Sequence, residues 1–349
     1  MKKVICIASA ALLLIGCVKN EPSAPVEGGA LISFDSPITA PNVKSVAYTS
    51  EFGESDSFNV WGYITANETE SLNISNPYFA LGDEVNYESA STWATETDYY
   101  WPQNGYLSFV AYAPAGTATA QVTDEGLQIT DYTTDGTKDL LVSDVVYNQT
   151  KATNGGSVDM VFYHALSAIK FSVYTELVGM DVKLKSISLG GIMVTGSFNQ
   201  GISESNTTMG LATENPCWTP SGEASSLNAY VNAAGLSVTD EAQTLAEDGQ
   251  VDLIVIPQNI QGEGVAILSV TYSIQNENME EAVVQTVTAP LNVAAAPANW
   301  YRGYCYTYNL QLHLDKITFT PSVDDWKQDG VDGVDAEGDI NVRPTTGGN

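Results

Sequence analysis

The sequence predicts an all-β protein, built as two tandem β-sandwich domains behind an export leader. Three observations carry that reading. Apolar residues recur at every second position in run after run, the period of a half-buried strand. Turn pairs punctuate those runs at Asn104-Gly105, Asp135-Gly136, Asn154-Gly155 and Asp248-Gly249. No long segment after the leader keeps a helical period, and short strands with frequent turns are the pattern of sandwiches. The 349 residues suffice for two domains, and a hydrophobic fraction of 44% suffices for their cores.

The opening, "MKKVICIASAALLLIGC", has a basic start at Lys2 and Lys3 and an apolar run from Val4 to Ile15. That run is shorter than the ~20 residues a membrane span needs, so residues 1–16 read as a signal peptide. Leu14, Ile15, Gly16 and Cys17 resemble a bacterial lipobox, in which cleavage precedes the cysteine and the cysteine is acylated. An ordinary leader with an incidental cysteine is the alternative. A lipid on Cys17 would hold the protein at a membrane, each buried CH₂ contributing about 0.8 kcal/mol. Residues 17–30, polar with Pro and Gly, read as a flexible tether.

The elements follow in order. "YYWPQNGYLSFVAYAP", residues 99–114, reads as a hairpin: Tyr99 to Trp101 end one strand, Pro102 to Gly105 turn, and Leu107, Phe109 and Ala111 begin the next inner face. "VFYHALSAIKFSV" alternates through Phe162 and Leu166, then changes phase to Ile169, Phe171 and Val173, which predicts a bulge or break near Ser167. A boundary fits best at "ELVGMD", residues 176–181, giving an N-terminal sandwich over 31–178 and a C-terminal one over 179–349. "VKLKSISLGGIMVTGSF" then reads as a pair of strands. "VDLIVIP" is a continuous apolar run, fit for the middle of a core. "AILSVTYSI" alternates through Ala266, Leu268, Val270, Tyr272 and Ile274. "YCYTYNLQLHL" does the same through Tyr304, Tyr306, Tyr308, Leu310, Leu312 and Leu314, with His313 on the polar face. The tail after Asp324 is acidic.

Charge narrows the function. Asp and Glu total 42 against 13 Lys and Arg. Such a surface repels phosphate backbones, so no nucleic-acid partner is expected. It also repels its own copies, so self-assembly has to rest on something other than surface ion pairs. Beyond Cys6 and Cys17 only Cys217 and Cys305 remain, either as a disulfide or as two buried thiols. There is no CxxC and no histidine cluster, so no metal and no cofactor is expected. Of the two histidines, His313 reads as solvated and His164 as a satisfied, partly buried residue; neither marks a catalytic centre, and no nucleophile elbow or phosphate loop occurs. The tail "DDWKQDGVDGVDAEGD" lacks the spacing of an EF-hand and reads as a solvated acidic loop.

Taken in order, "YYWPQNGYLSFVAYAP", "DLLVSDVVYNQT" and "VDMVFYHALSAIKFSV" resemble successive segments of fimbrillin-like proteins of the Bacteroidales. "ISLGGIMVTGSFN" and Trp326 fit the same pattern, and the resemblance runs from about residue 31 onward. It implies two transthyretin-like β-sandwiches and a role as a structural, anchor or accessory subunit of a surface pilus, not an enzyme. It also implies export as an outer-membrane lipoprotein, other pilus subunits as partners, and support of adhesion to a receptor of unspecified kind. In such proteins a protease removes an N-terminal strand, and the groove so opened accepts an extended segment of a neighbour.

Within that resemblance "ALISFDSPI" is the candidate removable strand, and "GDINVRP", with Ile340 and Val342 alternating, is the candidate donor. The family is typically cut after an arginine in the N-terminal region. This chain has only Arg302 and Arg343, which leaves Lys44, in "PNVKSVAYTS", as the candidate cut site or leaves the chain uncut. A glycan-binding surface lipoprotein is the competing reading; it requires Trp93, Trp218 or Trp300 to be exposed for stacking on sugar rings.

Overall fold

Period-two alternation produces strands almost throughout the computed structural model, which describes residues 29–35, 37–40, 50–89, 92–202, 217–245, 252–262, 264–291 and 297–325. The N-terminal strands are β1 (Ser33–Phe34), β2 (Ile38–Ala40), β3 (Ser50–Glu51), β4 (Ser57–Thr65), β5 (Pro77–Ser89), β6 (Thr92–Thr95) and β7 (Tyr106–Ala113). A hairpin of β8 (Thr119–Thr123) and β9 (Gly126–Thr133) follows. Then come β10 (Leu141–Ser143), β11 (Val146–Gln149), β12 (Ser157–Val158) and β13 (Val161–His164). The remaining strands are β14 (Ser167–Tyr174), β15 (Asp181–Asn199), β16 (Trp218–Ser237), β17 (Gln243–Thr244) and β18 (Leu253–Val255). The last four are β19 (Ile267–Gln275), β20 (Val283–Pro290), β21 (Tyr304–Leu312) and β22 (Ile317–Asp325). Among the described residues the one helical element is a 3₁₀ turn at Thr153–Gly156, the site of the Asn154-Gly155 signal.

Three sheets result. The first runs β12-β1-β6-β5-β4-β7-β10-β13-β2-β3, with β11 also on β7. It curls on itself: Phe58 of β4 and Phe162 of β13, separated by two strands in the sheet, meet edge-on at 5.4 Å. Phe34, Phe58, Phe79, Trp93, Leu107, Phe109 and Phe162 fill the space inside. The second sheet, β17-β14-β21-β22 with β18 on β14, faces the third, β20-β19-β15-β9-β8 with β16 on β15. Between them lie Ile169, Phe171, Ile187, Leu268, Tyr272, Trp300 and Tyr308. A third core, with Trp61, Val110, Tyr112, Ile129, Phe198, Trp218 and Ile254, joins the outer face of the first sheet to the other two.

That shared core explains where the sequence reading and the structure part. The phase change at Ser167 is a break at Ala165–Leu166, as expected, and there the chain leaves the first sheet: β14 lies parallel to β21 in the second, with Phe171 opposite Tyr308. The change of sheet thus precedes 176–181, and β8–β9 also pair onto β15, so a division after residue 178 does not coincide with sheet membership. "VKLKSISLGGIMVTGSF" lies within one 19-residue strand, not two. Its Gly190-Gly191 pair forms a bulge, with Gly191 at φ 70° and a Cβ there only 2.0 Å from the Gly264 carbonyl oxygen. "VDLIVIP" is continuously apolar because it lies between two cores: Leu253 and Val255 enter one, Ile254 and Ile256 the other. All five residues marked by the alternation of "AILSVTYSI" are buried, four of them in β19 and Ala266 just before it. β21 stops at Leu312, leaving Leu314 exposed rather than on the inner face.

The hairpin read into residues 99–114 does not form. β7 pairs with β4, β10 and β11, and Tyr99 to Trp101 bind elsewhere. β7 is apolar in both registers because both its faces are covered: Leu107, Phe109 and Ala111 in the first core, Val110 and Tyr112 in the joining core.

Candidate functional site

The partner of "YYW" is the N-terminal segment. Trp101 N–H donates to the Ala30 carbonyl at 2.9 Å and Ile32 N–H to the Tyr99 carbonyl at 2.8 Å, with Leu31 bridged antiparallel to Tyr100 between them. The segment then runs parallel to 157–163, Phe34 opposite Val158 and Ile38 opposite Val161. Phe34 also pairs with Trp93, and Asp35 N–H donates to the Val158 carbonyl at 3.1 Å. On the far side Ile38 pairs with Glu51, and Phe52 N–H donates to the Pro37 carbonyl at 2.9 Å. The candidate strand "ALISFDSPI", residues 30–38, therefore spans β1 and the first residue of β2, both of which run parallel to 157–163.

Side chains lock what the backbone aligns. Ile32 and Phe34 are 4% and 1% exposed, and Pro37 is buried too. The Phe34 ring meets Phe58 at 5.4 Å and Phe109 at 5.8 Å, both edge-on. Trp101 caps this wall, its indole N–H donating to the Gly156 carbonyl at 2.7 Å. Beside it the Tyr78 hydroxyl donates to the Tyr100 carbonyl at 2.5 Å. Tyr99 donates to Asp83 at 3.2 Å; burial first, then the Asp83 charge, push its phenol up to about 12. Burying Ile32 and Phe34 is worth roughly 1.5–3 kcal/mol each, and each net backbone hydrogen bond about 0.5–1.5 kcal/mol. Chemically this is a main-chain track filled by the chain's own N-terminal segment, with seats for large apolar residues two apart.

Of the residues singled out from the sequence, Leu14, Ile15, Gly16, Cys17, Lys44, Ile340 and Val342 lie outside the described residues, as do Arg343 and Trp326. Arg302 is fully buried, so in the folded chain a protease cannot reach it. His164 is buried and satisfied, its Nδ1 2.5 Å from Asp139 Oδ2. His313 is half-buried rather than solvated: Nε2 lies 3.0 Å from Thr318 Oγ1, and burial, then Lys316, lower its pKa. Cys217 and Cys305 are separate buried thiols, not a disulfide. Burial pushes both thiols up, Cys305 to about 12. The tryptophans on which glycan stacking depended are buried, Trp93 and Trp300 at 1% exposure and Trp218 at 7%. What the sequence reading missed is the role of Tyr99 to Trp101 as a wall of the N-terminal track. Three consecutive aromatics ahead of a turn were the available signal.

Known proteins bear on this geometry. A fimbrial protein from Bacteroides vulgatus has a similar structure, with a TM-score of 0.58 at 16% identity over 84% of this chain and 100% of its own. A candidate cell adhesion protein from Bacteroides uniformis follows, with a TM-score of 0.51 at 14% identity over 87% of this chain and 100% of its own. At such identities the likeness is one of fold. No curated protein sequence matches. A family profile described as "Fimbrillin-like" matches residues 45–326, which is most of the chain and includes all of β3 to β22. The chain belongs to the fimbrillin-like family.

Proposed function

We propose that this chain is a structural, anchor or accessory subunit of a cell-surface pilus, joined to its neighbours by exchange of β-strands. Family membership and the fimbrial fold support a subunit role. The observation that carries the exchange mechanism is the seating of residues 30–40. The segment is held by main-chain bonds and by buried Ile32, Phe34 and Pro37, with its hydrophobic seat made by the rest of the chain. If the chain is cut beyond residue 40, at Lys44 for example, the segment can leave. Its departure uncovers the 157–163 backbone and the Phe58, Phe109 and Trp93 rings, and an extended strand from a neighbour can then occupy the track. "GDINVRP", with Ile340 and Val342, is the donor in this scheme. Backbone and apolar contacts suit a chain of net charge −29, whose exposed charges repel.

In the same reading Cys17 carries lipid and holds the subunit in the outer membrane before or instead of cleavage. The role is structural rather than catalytic. Surface fibres labelled with gold-conjugated antibody against this chain test it. Gold along the shaft or at one end of the fibres is expected. Fibres free of gold on cells that display the protein would overturn the proposal.

A further inference from the structure

A free sheet edge offers unpaired N–H and C=O groups, and proteins ordinarily blunt such edges. Most edges here are blunted. β3, β12 and β17 are two residues long, and β8 is five. β22 carries Pro321 in its middle and ends in Asp324 and Asp325. β16 is interrupted by Pro220, Gly222 and Gly235, carries Glu223, and shifts register against β15 at four places. β20 has none of these devices before its last residue. It pairs with β19 without a register shift over all eight residues, and among the described residues no strand pairs with its other edge. Its sequence, VVQTVTAP, holds no charge, and Val283 and Val284 are 55% and 56% exposed.

We propose that β20 is an interaction edge that pairs antiparallel with β20 of a second copy of this chain, extending the third sheet across a two-fold axis. Charge marks this edge as the place where a copy can approach. The molecule carries −29 overall, yet this edge is neutral, so two copies can meet here without opposing carboxylates. With the axis through Thr286, the faces of both strands are preserved. Val284 lies opposite Thr288, Gln285 opposite Val287 and Val283 opposite Ala289. The flanking Glu281 then falls opposite Leu291, not opposite a second carboxylate. The strand is its own complement. This contact is separate from the N-terminal track and would join subunits side by side.

Sedimentation of the full chain over a wide concentration range tests it, together with Thr286→Lys and Thr286→Glu. Thr286 is exposed and opposes itself across the axis, so each variant places like charges face to face. The wild type is expected to dimerise, each variant alone to self-associate at least about tenfold more weakly, and an equimolar mixture of the two to recover the dimer. Should a variant misfold, hydrogen exchange in the wild type decides, with β20 amide protection rising with concentration. A wild type that stays monomeric, a dimer unmoved by either variant, or β20 amides exchanging equally at all concentrations would overturn the proposal.

Discussion

Phe34 is the residue on which the N-terminal track turns. Its ring fills a seat between Phe58 and Phe109, and no neighbouring side chain can replace it without moving. Phe34→Ala is expected to cost about 3–5 kcal/mol in urea unfolding of the full chain, against a few tenths for a change at exposed Asp35. The thiols give a second residue-scale expectation. Cys217 and Cys305 are buried with raised pKa values, so at neutral pH neither reacts with a thiol reagent while the chain is folded, and both react in denaturant. Fast labelling of either thiol in the native protein would contradict their placement in the core.

At the scale of elements, β15 ties the molecule together, pairing with β16 along one edge and with β19 and then β9 along the other. Its Gly191 bulge makes the strand bend without ending. Gly191→Ala forces a Cβ into the Gly264 carbonyl in a left-handed backbone and should cost at least about 2 kcal/mol. Gly179→Ala, also at positive φ but with open space around it, should cost only about 1 kcal/mol. Equal thermal melts for the two variants would show that the bulge bears no load. Strands such as β19 were legible because period two is a local signal. The fates of Gly190-Gly191 and of "YYWPQNGY" were not, because a turn and a bulge share the same glycines, and a both-sides-buried strand shows no polar face. The N-terminal track itself was half legible. Ile32 and Phe34 alternate visibly, while their parallel partner at 157–163 lies more than a hundred residues away and leaves no local trace.

Across the whole molecule, three cores hold the sheets in one arrangement, and many of their side chains are tyrosines. Burial pushes Tyr63 and Tyr163 up to about 12, and Tyr306 and Tyr308 higher still. In the unfolded chain these phenols titrate near 10. Their contribution to stability is thus complete below pH 10 and lost as pH rises through the folded-state values. Ultraviolet titration should show a delayed fraction of phenols ionising together with unfolding above pH 10, while a single normal transition near 10 in a protein that stays folded would contradict it. The proposed assembly depends on a different property of the whole: a completed sheet in which one strand is replaceable. The most direct measurement places a specific protease site within residues 41–49, cuts the folded chain there, and adds a fluorescent peptide of residues 30–40. The account predicts stoichiometric, saturable incorporation of the peptide with release of the native segment, and failure of the same peptide carrying Phe34→Ala. A cut chain that neither releases its segment nor takes up the peptide would contradict strand exchange.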